Sequence, residues 1–197
     1  MRVKEGNKWK DIYEAAIKIF AEYGYFNAKI AKIAELAGVA TGSVYLYFRN
    51  KEDLLSNIFN NLWKKMYDNS VYLRDNKELA PSEKLDQMLD TIFDIYTEHP
   101  NLAILVINEH GTYLSLNRNQ NPKYYDEFFL TATEIYNEGV RNNVFTPDIN
   151  VELFKNIIIG SFRELLHHWA LSKKTIKLEE IRKTYKYVMK YGIMKHK

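Results

Sequence analysis

The chain has 197 residues, of which 46% are hydrophobic and none is cysteine. This composition excludes disulfide scaffolds and cysteine-based metal or nucleophilic sites, and it suffices for one domain or a small domain fused to a larger one. The longest apolar run, Leu102 to Ile107, is far shorter than the ~20 residues that span a bilayer, and charged residues stand where a signal peptide needs an apolar segment. We therefore expect a cytoplasmic protein without a membrane partner.

The net charge of +3 is unevenly distributed, because residues 1–51 carry +4 and the rest of the chain carries −1. A basic end is expected where that end meets a polyanion. An ordinary solvated surface explains so small an excess equally well, so charge alone does not decide between the two.

Short helices are predicted near the N-terminus. Apolar residues at three- and four-residue spacing indicate a helix over residues 9–23, which Gly24 ends. A second helix covers about residues 28–36 and stops before Gly38, and a third runs from about Thr41 to Tyr47.

The remaining pattern is also helical. Asn50 is the predicted N-cap of a long fourth helix, whose first turn holds Lys51, Glu52 and Asp53. Five more helices are predicted over about residues 81–98, 101–116, 121–142, 150–171 and 178–191. Because no segment alternates with a period of two and hairpin turns are missing, the predicted fold is all-α.

The second and third helices have the composition of a helix-turn-helix. Gly38 supplies a sharp turn and Ala34 permits close contact between the two helices. The apolar residues predicted to fix their crossing are Ile33, Ala37, Val39 and Val44. Taken alone, this pattern also fits an ordinary helical hairpin with a glycine turn.

The residues that follow resolve this ambiguity. Residues 38–54, GVATGSVYLYFRNKEDL, closely resemble the signature of the TetR family of transcriptional regulators, and the resemblance covers about residues 9–60. It implies an N-terminal three-helix helix-turn-helix DNA-binding domain, residues 1–50. A C-terminal helical ligand-binding and dimerisation domain, residues 51–197, would follow.

A short helix reads base edges from its N-terminal residues while neighbouring groups bind phosphates. Hydroxyl, phenol and ammonium groups suit these contacts, and a glycine allows close approach of the backbone. The predicted DNA-binding residues are Lys29, Thr41, Gly42, Ser43, Tyr45, Tyr47 and Lys51, and the resemblance implies this role for all of them except Lys29. Tyr47 can also be purely structural, whereas Phe48 is predicted to lie in the core.

The chain departs from the family pattern at three positions. Ala28 and Lys29 stand where the family usually has two hydroxyl residues, so we expect Asn27 to cap the second helix and Lys29 to replace a lost contact by charge. Ala40 replaces the usual serine before the third helix, which makes Thr41 the expected cap there.

The last two helices are predicted to form a homodimer, because one recognition helix makes few base contacts and such proteins usually bind palindromic sites as dimers. Their apolar face comprises Phe154, Ile157, Ile158, Ser161, Leu165, His168, Trp169, Ile181, Tyr185, Val188 and Met189. Packing of these residues within one subunit is the alternative.

The middle helices supply apolar and polar groups for a small, largely apolar effector. The predicted ligand-binding residues are Leu105, Glu109, Tyr113, Tyr125, Phe129, Phe162, Arg163 and Leu166. The run from Asn101 to Ile107 and the region of Trp169 are similar to acyl-CoA-responsive regulators of fatty-acid degradation, which implies acyl-CoA or a similar molecule.

No catalytic residue, metal site or cofactor is predicted, because the histidines are scattered and no nucleophile elbow or phosphate-binding loop is present. The sequence thus predicts a ligand-responsive repressor that binds a palindromic double-stranded DNA operator as a dimer and is not an enzyme. The alternatives are a helical scaffold protein without specific DNA binding and a small helical enzyme.

Overall fold

The computed structural model describes residues 7–117, 123–172 and 175–194. Its helices are α1 (Lys8–Asn27), α2 (Ile30–Leu36), α3 (Thr41–Val44), α4 (Lys51–Asp75), α5 (Pro81–Glu98), α6 (Pro100–Leu116), α7 (Lys123–Arg141), α8 (Val151–Leu171) and α9 (Leu178–Ile193). The all-α fold is therefore confirmed. The predicted start of the seventh helix at residues 121–122 lies outside the described residues.

Local signals place most helix ends correctly. Asn50 caps α4 as predicted, since its Oδ1 accepts a hydrogen bond of 2.7 Å from the Asp53 N–H. Gly24 interrupts α1 with a φ of 74° and a ψ of 160°, and the helix resumes for three residues beyond it. The α1 helix is thus longer than predicted, with a break at the glycine.

Two predicted caps are wrong. Asn27 belongs to the last turn of α1, where its Nδ2 donates to the Tyr23 carbonyl at 3.2 Å, and the N-cap of α2 is Lys29 without a side-chain hydrogen bond. Thr41 is the first residue of α3 rather than its cap, because the preceding Ala40 has the extended backbone of an N-cap. The third helix also ends at Val44 instead of Tyr47.

The chain forms two compact units, whose boundary falls inside α4 between Leu62 and Trp63. The described part of the first unit comprises residues 7–62 and 100–117, so it includes α6 as well as α1 to α3. The second unit contains the remaining described residues. The domain boundary after residue 50 stays a prediction, and the compact units divide the chain elsewhere.

The first unit has a core of large apolar side chains from α1, α2, α4, α6 and the connection before α4. Its fully buried members include Ile12, Phe20, Ile33, Phe48, Leu54, Leu55, Ile58, Phe59 and Leu105. In α6, Tyr113 stacks on Phe59 with ring centroids 4.5 Å apart, and its hydroxyl donates to Asn60 Oδ1 at 2.9 Å. These contacts hold α6 against the first half of α4.

In the second unit, ion pairs join α9 to α5. Asp90 Oδ1 accepts hydrogen bonds from Arg182 and Lys186 at 2.6 Å each. Burial alone would raise the pKa of Asp90, but hydrogen bonds from Lys186 and Arg182 hold that pKa below its usual value. The carboxylate is therefore ionised at neutral pH and orders both helices.

A separate apolar cluster joins the end of α7 to the end of α9. Phe145 is fully buried, stacks on Tyr136 with ring centroids 5.8 Å apart, and packs in one cluster with Ile193. The Thr146 N–H donates to the Ile193 carbonyl at 3.0 Å. This cluster fixes the C-terminal end of α9.

Candidate nucleic-acid interface

The turn between α2 and α3 has the sharp geometry that the sequence predicts. Gly38 has a φ of 67°, which residues with a Cβ adopt only with strain. The N–H groups of Gly38 and Val39 donate to the carbonyls of Glu35 and Ala34 at 3.1 and 3.0 Å. Ala34 is buried, so its small side chain lies within the packed turn.

The predicted crossing residues are only partly buried. Ile33 and Val44 lie in the core, whereas Ala37 and Val39 are not fully buried. The first pair therefore anchors the two helices, and the second pair lines the edge of the turn.

The recognition segment, residues 41–47, separates its side chains into a buried and an exposed set. Val44 and the adjoining Phe48 are buried, as predicted for Phe48. Between them, Tyr45, Leu46 and Tyr47 are 53%, 82% and 43% exposed. Because the Phe48 N–H donates to the Val44 carbonyl at 3.0 Å, the helical turn continues past α3 and directs the intervening residues outward.

Most of the predicted DNA-binding residues are accessible. Thr41, Gly42 and Lys29 are exposed, and Ser43 is half-buried. Accessible hydroxyl, phenol and ammonium groups can donate to phosphate and base oxygens. Their role as DNA contacts stays a prediction.

Lys51 is placed differently. Its Nζ donates to the carbonyls of Phe26 and Ala28, at 3.1 Å each, and lies 4.7 Å from the centre of the Tyr25 ring. The ammonium therefore binds the end of α1. A phosphate contact by Lys51 requires it to share or exchange these carbonyl partners.

Sequence reasoning missed two exposed side chains of the same region, Leu46 and Arg49. The Arg49 side chain is 86% exposed although its Nη2 lies 3.2 Å from Asp53 Oδ1. Surface ion pairs of this kind contribute only about 0–1 kcal/mol, so the guanidinium is available to an anion. Leu46 lies four residues after Gly42, and residues with this spacing share one side of a helix. This spacing could have identified Leu46 as a neighbour of the predicted contact residues.

The predicted effector residues of α6 are occupied by packing within the first unit. Leu105 and Tyr113 are buried there. Glu109 is also buried, and its Oε1 accepts a hydrogen bond of 2.7 Å from the Tyr25 N–H. Their ligand-binding role stays a prediction.

In the second unit, the structure brings together Tyr125 and Phe129, whose ring centroids are 5.1 Å apart. Trp63 meets Tyr125 edge-on at 4.8 Å, and Lys155 Nζ lies 5.3 Å from the centre of the Phe129 ring. We call Trp63, Tyr125, Phe129 and Lys155 the aromatic–lysine cluster.

Other effector candidates lie outside this cluster. Phe162 packs on Phe93 and Tyr185, with ring centroids 5.2 and 5.5 Å apart. Arg163 is exposed and Leu166 is buried. The eight predicted ligand-binding residues therefore belong to several packing environments.

The predicted dimer face is divided between the inside and the outside of the second unit. Trp169, Ile181 and Tyr185 are buried, and the Tyr185 hydroxyl donates to the Ile158 carbonyl at 2.7 Å. Burial raises the pKa of Tyr185 to about 12. The exposed large apolar side chains of α8 and α9 are Leu153, Ile157, Leu171, Tyr187, Val188 and Tyr191.

Metal sites and membrane-spanning helices have no candidates in the described part of the chain. In residues 7–117, 123–172 and 175–194, no group of three or more histidine, aspartate or glutamate side chains is arranged to hold a metal ion. Across the same ranges, no helix combines the length and apolar character needed to cross a membrane.

Comparisons with known proteins agree with this architecture. The family model of bacterial regulatory proteins, tetR family, matches residues 12–58, and a tetracyclin repressor-like C-terminal domain model matches residues 81–173. The fatty acid metabolism regulator protein of Bacillus subtilis (strain 168) is 30% identical over 167 residues, which are 84% of each chain.

Solved structures of transcriptional regulators share the fold of this chain. The fatty acid degradation regulator FadR from Bacillus halodurans superimposes with a TM-score of 0.82 at 27% identity, covering 96% of this chain and 97% of that one. The transcriptional regulator FadR from Bacillus subtilis, in complex with stearoyl-CoA, superimposes with a TM-score of 0.80 at 26% identity. This match covers 94% of this chain and 99% of that one.

These relatives are transcriptional regulators, which are not enzymes, and the helix-turn-helix of residues 30–44 stands where the N-terminal family model matches. The sequence-based predictions of family, fold and regulatory function are therefore confirmed. The chain belongs to the TetR family of bacterial DNA-binding transcriptional regulators.

Proposed function

We propose that this protein acts in the cytoplasm as a homodimeric repressor that binds a palindromic operator through its recognition segment. The observation that carries the proposal is the division of residues 41–48, in which Val44 and Phe48 anchor the segment while Tyr45, Leu46 and Tyr47 are exposed. A helix anchored along one side can enter the major groove with the other.

The exposed side chains have complementary roles in this proposal. Thr41 and Ser43 bind bases or phosphates through their hydroxyls, and the phenols of Tyr45 and Tyr47 donate to phosphates. Lys29, which is exposed at the start of α2, adds a charge-based phosphate contact.

Salt dependence tests the DNA contacts. Affinity for a short mixed-sequence duplex is measured over a range of salt concentrations for the wild type, Lys29→Ala and Lys65→Ala. Lys65 is an exposed lysine of the second unit and serves as the matched control. Log affinity falls as log salt rises, and losing one phosphate contact makes this negative slope shallower by about 1. Lys29→Ala should show this change and Lys65→Ala should not.

An equal loss of slope in both lysine variants would contradict the assignment of Lys29, because it would indicate a general charge effect. Absence of salt-dependent binding by the wild type would contradict the DNA-binding proposal itself. Tyr47→Phe, which removes only the hydroxyl, should weaken binding to all sequences similarly if the phenol binds phosphate.

The dimer proposal is supported by the exposed apolar residues of α8 and α9. Leu153 and Ile157 are four residues apart on α8, and Tyr187 and Tyr191 are four residues apart on α9, so each pair lies on one side of its helix. Soluble monomers rarely expose large contiguous apolar patches. A second copy of the chain, related by two-fold symmetry, would cover these side chains and place two recognition segments on one operator.

The oligomeric state tests this arrangement. Light scattering during gel filtration should give twice the monomer mass of 23.3 kDa for the wild type, and the monomer mass for Ile157→Lys combined with Val188→Lys. Leu130→Lys is the control, because Leu130 is similarly exposed on α7. A monomeric wild type, or a dimer that survives the double substitution, would rule out this interface.

For the effector, we propose an acyl-CoA or a similar molecule that is apolar and anionic. Support comes from the complex of Bacillus subtilis FadR with stearoyl-CoA, and from the aromatic–lysine cluster of this chain. Its aromatic rings suit an apolar chain, and the Lys155 ammonium beside them suits a negatively charged group. Release of DNA requires that the effector bind the DNA-free state more tightly than the DNA-bound state.

Titration of the protein–duplex complex with stearoyl-CoA tests this step, and coenzyme A without an acyl chain is the control ligand. Stearoyl-CoA should release the duplex and coenzyme A should not. Phe129 is half-buried, and an effector that covers its ring gains about 1.5–3 kcal/mol from that contact, so Phe129→Ala should need roughly ten- to a hundredfold more stearoyl-CoA. The neighbouring Leu130→Ala should behave as the wild type, and no release by stearoyl-CoA would reject this effector class.

A further inference from the structure

The break in α1 is held by a carboxylate from α6. In an unbroken helix, the Tyr25 N–H would bond to the carbonyl four residues earlier. Beyond the break at Gly24, it donates instead to Glu109 Oε1 at 2.7 Å, across 84 residues of sequence. A Cβ on Gly24 would lie 3.3 Å from the same oxygen, so the glycine also permits the close approach.

Glu109 is only 6% exposed. A buried carboxylate is costly unless hydrogen bonds stabilise its charge, and bonds between an ionised acceptor and a backbone N–H are among the stronger ones. The effect of the carboxylate also reaches the Tyr25 side chain, since burial first, and then the charges of Glu52 and Glu109, raise the pKa of that phenol. The contact is therefore an electrostatic constraint on this backbone and not a loose surface contact.

The other side of the same connection is held by α4. Lys51 Nζ donates to the carbonyls of Phe26 and Ala28. The segment of residues 25–28 is thus held from two sides. The Glu109 carboxylate binds the N–H at its beginning, and the Lys51 ammonium binds two of its carbonyls. This segment leads directly to Lys29 and the start of α2 at Ile30.

We propose that Glu109 is a positioning residue for DNA binding, which fixes the direction of the chain as it leaves α1 and thereby places α2 and the recognition segment. This inference rests on the proposed DNA-binding function and gives Glu109 a role that does not depend on its predicted effector contact. Because Glu109 belongs to α6, displacement of α6 breaks or strains the bond and shifts the start of α2. The operator affinity of this protein therefore depends on a residue outside the helix-turn-helix.

Glu109→Ala and Glu109→Gln test the proposal in the full chain, and Ser56→Ala is the matched control. Gln keeps an oxygen acceptor at the same distance along the side chain. Ser56 Oγ likewise accepts a hydrogen bond of 3.0 Å from Nδ2 of Asn117, the residue that follows α6, but Ser56 lies away from the break at Gly24. The measurements are affinity for a selected operator duplex, hydrogen exchange of the Tyr25 amide and thermal stability.

Losing a hydrogen bond to a charged group changes an equilibrium by about ten- to a hundredfold. We expect Glu109→Ala to lower operator affinity and to speed Tyr25 exchange by this factor. Glu109→Gln, which offers a neutral oxygen acceptor, should restore part of both, and Ser56→Ala should change neither. If Glu109→Ala is too unstable to assay, Glu109→Asp keeps the charge, withdraws the acceptor by one methylene, and should lower operator affinity by about three- to tenfold.

Two results would overturn the inference. One is faster exchange at Tyr25 with unchanged operator affinity in the alanine or aspartate variant. The other is a loss of affinity in Ser56→Ala and Glu109→Ala that simply follows their loss of thermal stability. A wild-type protein that binds no duplex would instead reject the proposed DNA-binding function, so the two failures are distinguishable in the same assay.

Discussion

Gly139 of α7 gives a sharp test of how the C-terminal end of α9 is held. A Cβ built on Gly139 would lie 2.0 Å from Phe145 Cδ2 and 2.3 Å from Cε2. Phe145 is fully buried and stacked on Tyr136, so its ring has to leave a packed position to admit the methyl group. The replacement Gly139→Ala is therefore expected to destabilise the protein, although alanine normally favours a helix.

The magnitude follows from two opposing effects. Overpacking a core costs about 1–3 kcal/mol, and the severe overlap here favours the upper part of that range. Replacing glycine by alanine inside a helix stabilises the helix by about 1 kcal/mol. The expected net loss is about 2 kcal/mol, which lowers the melting temperature of a chain of this size by roughly 4–8 °C.

Thermal unfolding at fixed protein concentration, followed by circular dichroism, measures this loss. Gly111→Ala is the control, because a Cβ at that exposed position of α6 would meet no described atom within 4 Å beyond its chain neighbours and the surrounding helix backbone; it should raise the melting temperature. In a Phe145→Leu background, the penalty of Gly139→Ala should shrink. A Gly139→Ala protein as stable as the wild type would refute the packing argument.

Three further predictions concern the DNA-binding region and the α5–α9 ion pairs. Gly38→Ala, at a φ of 67°, should lower the free energy of unfolding by about 1–2 kcal/mol in thermal melts, because a residue with a Cβ is strained at that φ. An unchanged melting temperature would contradict a strained left-handed backbone at this turn. Lys51→Met removes the donor to two carbonyls at the end of α1 and should cost about 1–3 kcal/mol, whereas Lys65→Met should cost nothing measurable. Since the pKa of Asp90 is lowered in the fold, its stabilisation is complete above the ordinary aspartate pKa of about 3.9 and is lost as pH falls through the lower folded value. Urea unfolding below pH 5 should therefore be less pH-dependent in Asp90→Asn, and equal slopes would disprove this role.

The features that the sequence predicts well are those that depend on neighbouring residues. Helix periodicity, the Asn50 cap and the positive φ of Gly38 each arise within a few residues, so local preference determines them. The two wrong caps show the limit of this reasoning. Asn27 has a good capping side chain, but α1 resumes beyond Gly24 and includes Asn27 in its last turn.

Contacts between distant residues were not predictable in this way. Lys51 suits a phosphate contact by its position at the start of α4, yet its ammonium binds carbonyls 23 and 25 residues earlier. Glu109 suits an orienting group for a ligand, yet its partner is a backbone N–H of α1. Neither partner has a local sequence signal, because both pairings depend on how α4 and α6 pack on α1.

Selection of bound duplexes from a random pool tests the central claim most directly. We expect the wild-type protein to enrich one sequence with two-fold symmetry, whose half-sites are separated by a spacing that suits two major-groove contacts on one side of the helix. The double variant Ile157→Lys, Val188→Lys should lose this enrichment. Enrichment of an asymmetric single site, or of no sequence at all, would contradict recognition of a palindromic operator by a dimer.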